Sequence, residues 1–162
     1  MAKSSKQSNP NRPRSVHIKN RRAWHDFDIL EKVECGIELL GTEVKSIRAG
    51  QIKLDEAHAR VRNGEVFLVG ADIAAYPQAA PGMQHNTRRE RKLLLRRSQI
   101  HKLQAHVLQK GKTIVPLELY FKRGWAKLTL GLAVGKQKYD KREALRKRQQ
   151  ERDIARDLRR HG

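Results

Sequence analysis

Apolar residues recur at every second position in some stretches of this chain and at every third or fourth in others, and the changes of period mark its elements. Glu34–Gly50, reading E-C-G-I-E-L-L-G-T-E-V-K-S-I-R-A-G, contains one such change. Cys35, Ile37 and Leu39 alternate with Glu34, Gly36 and Glu38, as in a half-buried strand. From Gly41-Thr42 the spacing lengthens. Val44 and Ile47 lie three apart, Thr42 is placed to cap a first turn, and Gly50 can supply a left-handed stop. The pattern predicts a strand and then a two-turn helix closing one end of a small barrel. That helix carries Lys45 and Arg48, with Lys53 just beyond, so a rigid scaffold holds positive charge at a fixed place.

Other segments follow the same logic. Phe27, Ile29 and Val33 alternate with acidic and basic residues as a strand opening the fold. In Ile52–Arg62, Ala57, Ala59 and Val61 alternate with His58, Arg60 and Arg62. Asn63-Gly64 signals a two-residue type I′ hairpin, and Glu65–Val69 is the return strand. Gly70–Asn86, with Pro77, Pro81 and Gly82, is a long surface loop. Ser98–Lys110 is a helix with Ser98 as N-cap, Ile100, Leu103 and Val107 as its buried stripe, and Gly111 as its stop. Thr113–Lys122 and Trp125–Ala133 form a second hairpin across Arg123-Gly124. In it Leu117, Leu119 and Phe121 face Leu128, Leu130 and Leu132. The result is a mainly β domain of about six short strands with two or three helices. It reads as a small closed or partly open barrel of the oligonucleotide-binding kind, with a sandwich as the other architecture the pattern allows.

Charge divides the chain. Of a formal +19, Met1–Arg22 contributes seven basic residues and no acid, and Lys136–Gly162 eleven basic against five acidic. Such ends bury too little apolar surface to offset the entropy of ordering. The expected division is a disordered basic arm over 1–19, a barrel over 20–134 and a basic tail over 135–162. The arm serves either nucleic acid or solubility. In the tail, Lys136, Lys138, Lys141 and Arg142 surround Tyr139, Asp140 can cap a helix, and the apolar positions are few: Ile154, Ala155 and Leu158, with Leu145 far off. It is either a helix that forms only in an anionic groove or a charged helix free in solvent. A polyanion is the natural partner of this distribution.

Candidate chemistry points the same way. Arg21, Arg22 and His25 flank Trp24, which either stacks on an unpaired base or caps the barrel. Thr87–Arg97, T-R-R-E-R-K-L-L-L-R-R, brackets three leucines with six basic residues, Arg88, Arg89 and Lys92 among them. As a strand it puts Lys92, Leu94 and Arg96 on one face, a wet basic face containing a leucine. A phosphate-contacting ridge accounts for this. Glu34 then serves as an acceptor or an orienter of arginines on an RNA surface. There is no glycine-rich phosphate loop, and His101 and His106, five apart, point away from each other on a helix, so no metal or cofactor is expected. Cys35, the single cysteine, reads as core and fits a reducing cytosol. No apolar run approaches the ~20 residues of a membrane span. Nucleophilic or paired-carboxylate catalysis lacks a base, a pocket or an activated water.

Four stretches, in order and at their separations, carry a family resemblance: Asn20-Arg21-Arg22-Ala23 with His25; Gly41-Thr42-Glu43-Val44-Lys45-Ser46 with Arg48 and Gly50; Arg91-Lys92-Leu93-Leu94-Leu95; and Gly135-Lys136 with Tyr139-Asp140-Lys141-Arg142. The chain resembles the SmpB family, the SsrA-binding proteins of bacterial trans-translation, over roughly 20–160. The resemblance implies an oligonucleotide-binding barrel that grips the tRNA-like domain of tmRNA (SsrA RNA) and takes it to ribosomes stalled on messages without a stop codon. It implies a cytoplasmic, monomeric adaptor without catalysis. Its partners would be tmRNA and both ribosomal subunits, with elongation factor Tu and alanyl-tRNA synthetase met through charged tmRNA. By position, Asn20, Glu34 and Leu94 match family residues implicated in tmRNA binding. Lys136 to Arg142, with Ile154 and Leu158 further on, match the tail that works at the decoding centre and in the empty mRNA channel. Tyr139 stands where other members carry His or Tyr, and Tyr keeps stacking without imidazolium charge. The alternative is a general ribosome-associated or single-strand RNA-binding barrel.

Overall fold

The computed structural model describes residues 15–136 and 138–161. In chain order the elements are β1 (His17–Lys19), α1 (Arg21–Asp26), β2 (Phe27–Ile37), α2 (Gly41–Arg48), β3 (Ile52–Lys53), β4 (His58–Arg62), β5 (Glu65–Val69), β6 (Asp72–Ile73), β7 (Arg91–Leu94), α3 (Arg97–Val107), β8 (Lys112–Lys122), β9 (Trp125–Gly135) and α4 (Lys138–Arg160). Seven strands make one antiparallel sheet in the order β1-β8-β9-β2-β7-β5-β4, and β3 pairs separately with β6. The sheet curls until β4, at one edge, packs against β8, without a hydrogen-bonded ladder between them. α3 packs on both β8 and β4 and so covers the open seam. This is the expected partly open barrel. Its interior is filled by Val33, Cys35, Val66, Leu68, Leu93, Leu128 and Leu130 among others, while Phe27, Ile29 and Leu117, also read as inward by alternation, pack in a separate small core.

Both expected hairpins close as type I′ turns. Asn63 and Gly64 have φ of 52° and 72°, and Arg123 and Gly124 have 52° and 80°. The left-handed φ of 75° at Gly50 also follows the expectation.

Several boundaries moved, each for a local reason. Residues 17–19 belong to the sheet, pairing with Glu118–Tyr120, so the barrel starts before residue 20. Met1–Arg14, the bulk of the expected arm, lies outside the described residues. The segment read as entering directly on a strand first makes the short helix α1, capped by Asn20. Leu117 does not share a face with Leu119, because the β8–β9 register shifts between Pro116 and Glu118. The bulge turns Val115 and Leu117 onto the outer face. There, with Ala23 and Ala133, they form a second small core under α1. Thr42 is not the cap of α2: the helix starts at Gly41, and the Leu40 N–H is taken by the Glu43 carboxylate. Likewise α3 starts at Arg97, where the Gln99 side chain accepts from the Arg96 N–H, rather than at a Ser98 cap.

Candidate nucleic-acid interface

Three adjacent strands build the centre of the site. Gly36 on β2 stands opposite Leu94 on β7 and, on its other side, opposite Lys127 on β9. Residues level across an antiparallel sheet share a face. Leu94, Gly36 and Lys127 therefore form one outward row, and Lys127 continues it to its partner Tyr120 on β8. A side chain at Gly36 would meet Leu94 at 3.3 Å, so the glycine leaves the leucine its place. Glu34, two residues along β2, points the same way and accepts the Tyr120 hydroxyl proton. Glu34, Gly36, Leu94 and Lys127, with Lys92, Arg96 and Arg97, line a groove of about 850 Å³, and Tyr120 stands outside it.

The electrostatics of this groove are mixed. Burial and the hydrogen bond to Glu34 raise the pKa of Tyr120, keeping its hydroxyl a donor. Lys92 donates to Glu65 at 3.0 Å, and that bond raises the lysine pKa. Leu94 is half exposed in the midst of these charges, as the alternation predicted. A second hollow, more apolar, adjoins the first through Gly36, Leu94 and Lys127 and runs to Leu40, Val44, Phe121 and Trp125. The guanidinium of Arg48 lies over the Phe121 ring, 4.4 Å from its centre. Lys45, one turn back, reaches over Tyr76.

The expected basic ridge on 87–97 is not one ridge. Arg88 turns toward Asp72, 3.6 Å away, and lines a hollow with Arg22 and Lys53. Arg89 turns inward: its Nε and Nη2 both donate to the carboxylate of Glu43, the latter at 2.9 Å. Arg91, which alternation with Leu93 also turns inward, is fully buried. It donates to the carbonyls of Ala71, Asn86 and Thr87 and has its Nε 3.4 Å from Glu43 Oε1. Only Lys92, Arg96 and Arg97 reach the groove.

Glu43, in the first turn of α2, is therefore the anchor of an internal cluster. Burial pushes its pKa up, but the bonds from Arg89 and the Leu40 amide and the charges of Arg91 and Arg89 outweigh that and hold it below the usual value. Two further bonds pin the same helix. The Thr42 hydroxyl donates to His85 Nδ1 at 2.8 Å, while His85 Nε2 donates to the Ile73 carbonyl, which fixes the tautomer. Ser46 donates to the Ala74 carbonyl. The loop that follows β6 is thus tied to α2 along its length.

Asn20 is also an internal residue, 2 % exposed. Its amide donates to the Leu54 and Pro116 carbonyls, and its oxygen accepts from the Ala23 N–H. Both polar ends of the Asn20 side chain are used inside the fold. The residue sets the position of α1, on which Arg21, Arg22 and His25 are exposed. Asp26 holds Arg22 at 3.4 Å and His25 at 2.9 Å. Trp24 is exposed on the surface of α1, with Lys32 Nζ over its ring at 4.9 Å. Glu34 orients a tyrosine rather than an arginine. Cys35 is core, donating to the Leu128 carbonyl, and burial pushes its thiol up to about 12. His106 donates to the carbonyls of Thr113 and Ala133, a structural role.

α4 is a helix of 23 residues whose described side chains, 142–160, are all exposed, Leu145, Ile154 and Leu158 included. The side chains of Lys138, Tyr139, Asp140 and Lys141 lie outside the described residues. Lys136 reaches back to the Trp24 carbonyl at 3.4 Å. No helix among the described residues is long and apolar enough to cross a membrane.

A curled β barrel with cationic grooves, an exposed leucine and an exposed tryptophan defines a nucleic-acid-binding protein of the small-barrel class. The comparisons give the family. A sequence model described as "SmpB protein" matches residues 17–160. The chain is 50 % identical over 153 residues to an "SsrA-binding protein" of Gloeothece citriformis, covering 94 % of this chain and 99 % of that one. It is 53 % identical over 145 residues to the "SsrA-binding protein" of Synechococcus elongatus, covering 90 % and 94 %. A solved chain from "tmRNA-SmpB: a journey to the center of the bacterial ribosome" superposes with a TM-score of 0.66 at 46 % identity, over 81 % of this chain and 95 % of that one. The chain belongs to the SmpB family.

Proposed function

We propose that this protein is an RNA-binding adaptor that grips the tRNA-like domain of tmRNA and carries it to ribosomes stalled on messages without a stop codon, with no catalysis of its own. One observation carries the reading. The chain is half identical, along nearly its whole length, to proteins named for binding SsrA RNA. Glu34 on β2, and Lys92 and Leu94 on β7, far from it in sequence, stand around one open groove of the kind that reading needs. In this account the groove gives specificity, through Glu34, Leu94 and Lys92. Arg21, Arg22, His25, Lys45, Arg48 and Arg88 add phosphate contacts. Arg89 and Asn20 act through the fold, by holding α2 and α1. The tail from Lys136 to Arg142, with Ile154 and Leu158 beyond, works at the decoding centre and in the mRNA channel. Elongation factor Tu and alanyl-tRNA synthetase are met through charged tmRNA, and the site of action is the cytoplasm.

The test is competition. Full-length protein bound to labelled tmRNA at moderate salt should resist an excess of bulk tRNA. Equal displacement by bulk tRNA would replace this reading with a general RNA-binding barrel.

A further inference from the structure

Trp125 is 73 % exposed at the start of a laddered strand. It follows the type I′ turn at Arg123-Gly124 and opens β9, which is laddered to β8 and β2 on its two sides. The hollow beneath it measures about 680 Å³ and has Leu40, Val44, Leu94 and Phe121 in its walls. Leu40 and Leu94 are each 49 % exposed. One exposed apolar side chain is ordinary, but three around a single concavity mark a contact surface.

The rim identifies what makes the contact. Arg48 sits over Phe121, Lys127 stands in the lining, and Arg123 lies with Trp125 and Lys127 in the adjoining hollow. An apolar peptide segment seated here would desolvate those cations without matching them. A nucleotide suits both parts: its base offers a π face to the indole, and its phosphates reach the rim. The base has to be unpaired, because a paired base is covered above and below by its neighbours. Glu38, also in the lining, can accept from a base amino group and repels a phosphate that enters too deep.

We infer that the hollow beneath Trp125 receives one unpaired nucleobase of the bound RNA, stacked on the indole, with its flanking phosphates on Arg48 and Lys127. This rests on the RNA-binding reading above and adds to it a second contact point beside the Glu34–Leu94 groove.

The chain has two tryptophans, so in a full-length Trp24→Phe protein Trp125 is the only indole. Its emission should be quenched by tmRNA with the midpoint seen in a gel shift, and should stay unchanged when a fully paired RNA duplex binds at the same salt. Trp125→Ala should weaken tmRNA binding by about 5- to 150-fold, the range for loss of one stacked base. Trp125→Phe should recover most of that loss. Neither should alter the salt slope, whereas Lys127→Ala should lower it by about one. Binding of tmRNA with unmoved Trp125 emission, or unweakened binding by Trp125→Ala, overturns this inference and leaves the functional reading standing. If the parent protein binds no tmRNA, both fall. Should Trp125→Ala fail to fold, the emission of the Trp24→Phe protein decides.

Discussion

On the inner face of β7 Arg91 is fully buried against Glu43, while on the outer face of the same strand Leu94 stands half in water beside Gly36. Hydropathy would exchange them. Each is stable for a different reason. Arg91 donates to three carbonyls and has the Glu43 carboxylate 3.4 Å from its Nε as an ion-pair partner, and Arg89 completes the pairing of Glu43, so the charges are taken from water without being left alone. Leu94 has no such compensation. Its exposure costs stability to the free protein and is repaid only when something covers it. A buried charge therefore marks architecture here, and an exposed leucine marks contact.

This contrast can be broken most severely from the inside. Glu43→Ala leaves Arg91 buried without its carboxylate and should cost about 3–5 kcal/mol, read as a lower urea midpoint. A loss below about 1 kcal/mol would mean that α2 is held by something else. The same group sets a pH dependence. Its folded pKa lies below the usual 4.5, so its contribution is present above that value and drains away as pH falls through the lower folded one. The parent should lose stability faster than Glu43→Gln as pH is lowered below about 4.5.

The outer face should respond in the opposite sense. Leu94→Ala removes a half-exposed side chain, so thermal unfolding should scarcely move. Affinity for tmRNA should fall by about 5- to 30-fold, the loss for an interface residue worth 1–2 kcal/mol. A large drop in melting temperature with unchanged affinity would reverse the assignment of the two faces.

The tail supplies the smallest effect. Deleting 136–162 removes side chains that, over 142–161, touch little of the barrel. Melting temperature should stay put, and tmRNA affinity should change less than with Leu94→Ala, while tagging of stalled products should stop. A tail deletion that unfolds the barrel would show the helix to be part of the domain.

Much of this was legible along the chain. Alternation over 27–33, 35–39 and 125–133 locates strands, Asn63-Gly64 and Arg123-Gly124 locate hairpins, and the spacing of Lys92 and Leu94 alone marks a wet, basic face. The basic ridge failed because β7 begins only at Arg91. In the turn before it, Arg88 and Arg89 are free of the alternation and go to different partners. The second core under α1 was invisible, since it depends on a bulge at Pro116–Glu118 that shifts the phase of β8.

Local order in this protein was written in its sequence: periods of two and of three to four, turn residues at their places, and an excess of cations on both ends. These depend on neighbours a few positions away, which any reader of the chain can see. Tertiary structure alone decided which cations are internal, that Asn20 works from the core, and that Trp125, Lys127 and Leu94 share one surface. Those facts depend on strand register and on how far the sheet curls, and both are set by side chains a hundred residues apart meeting in space.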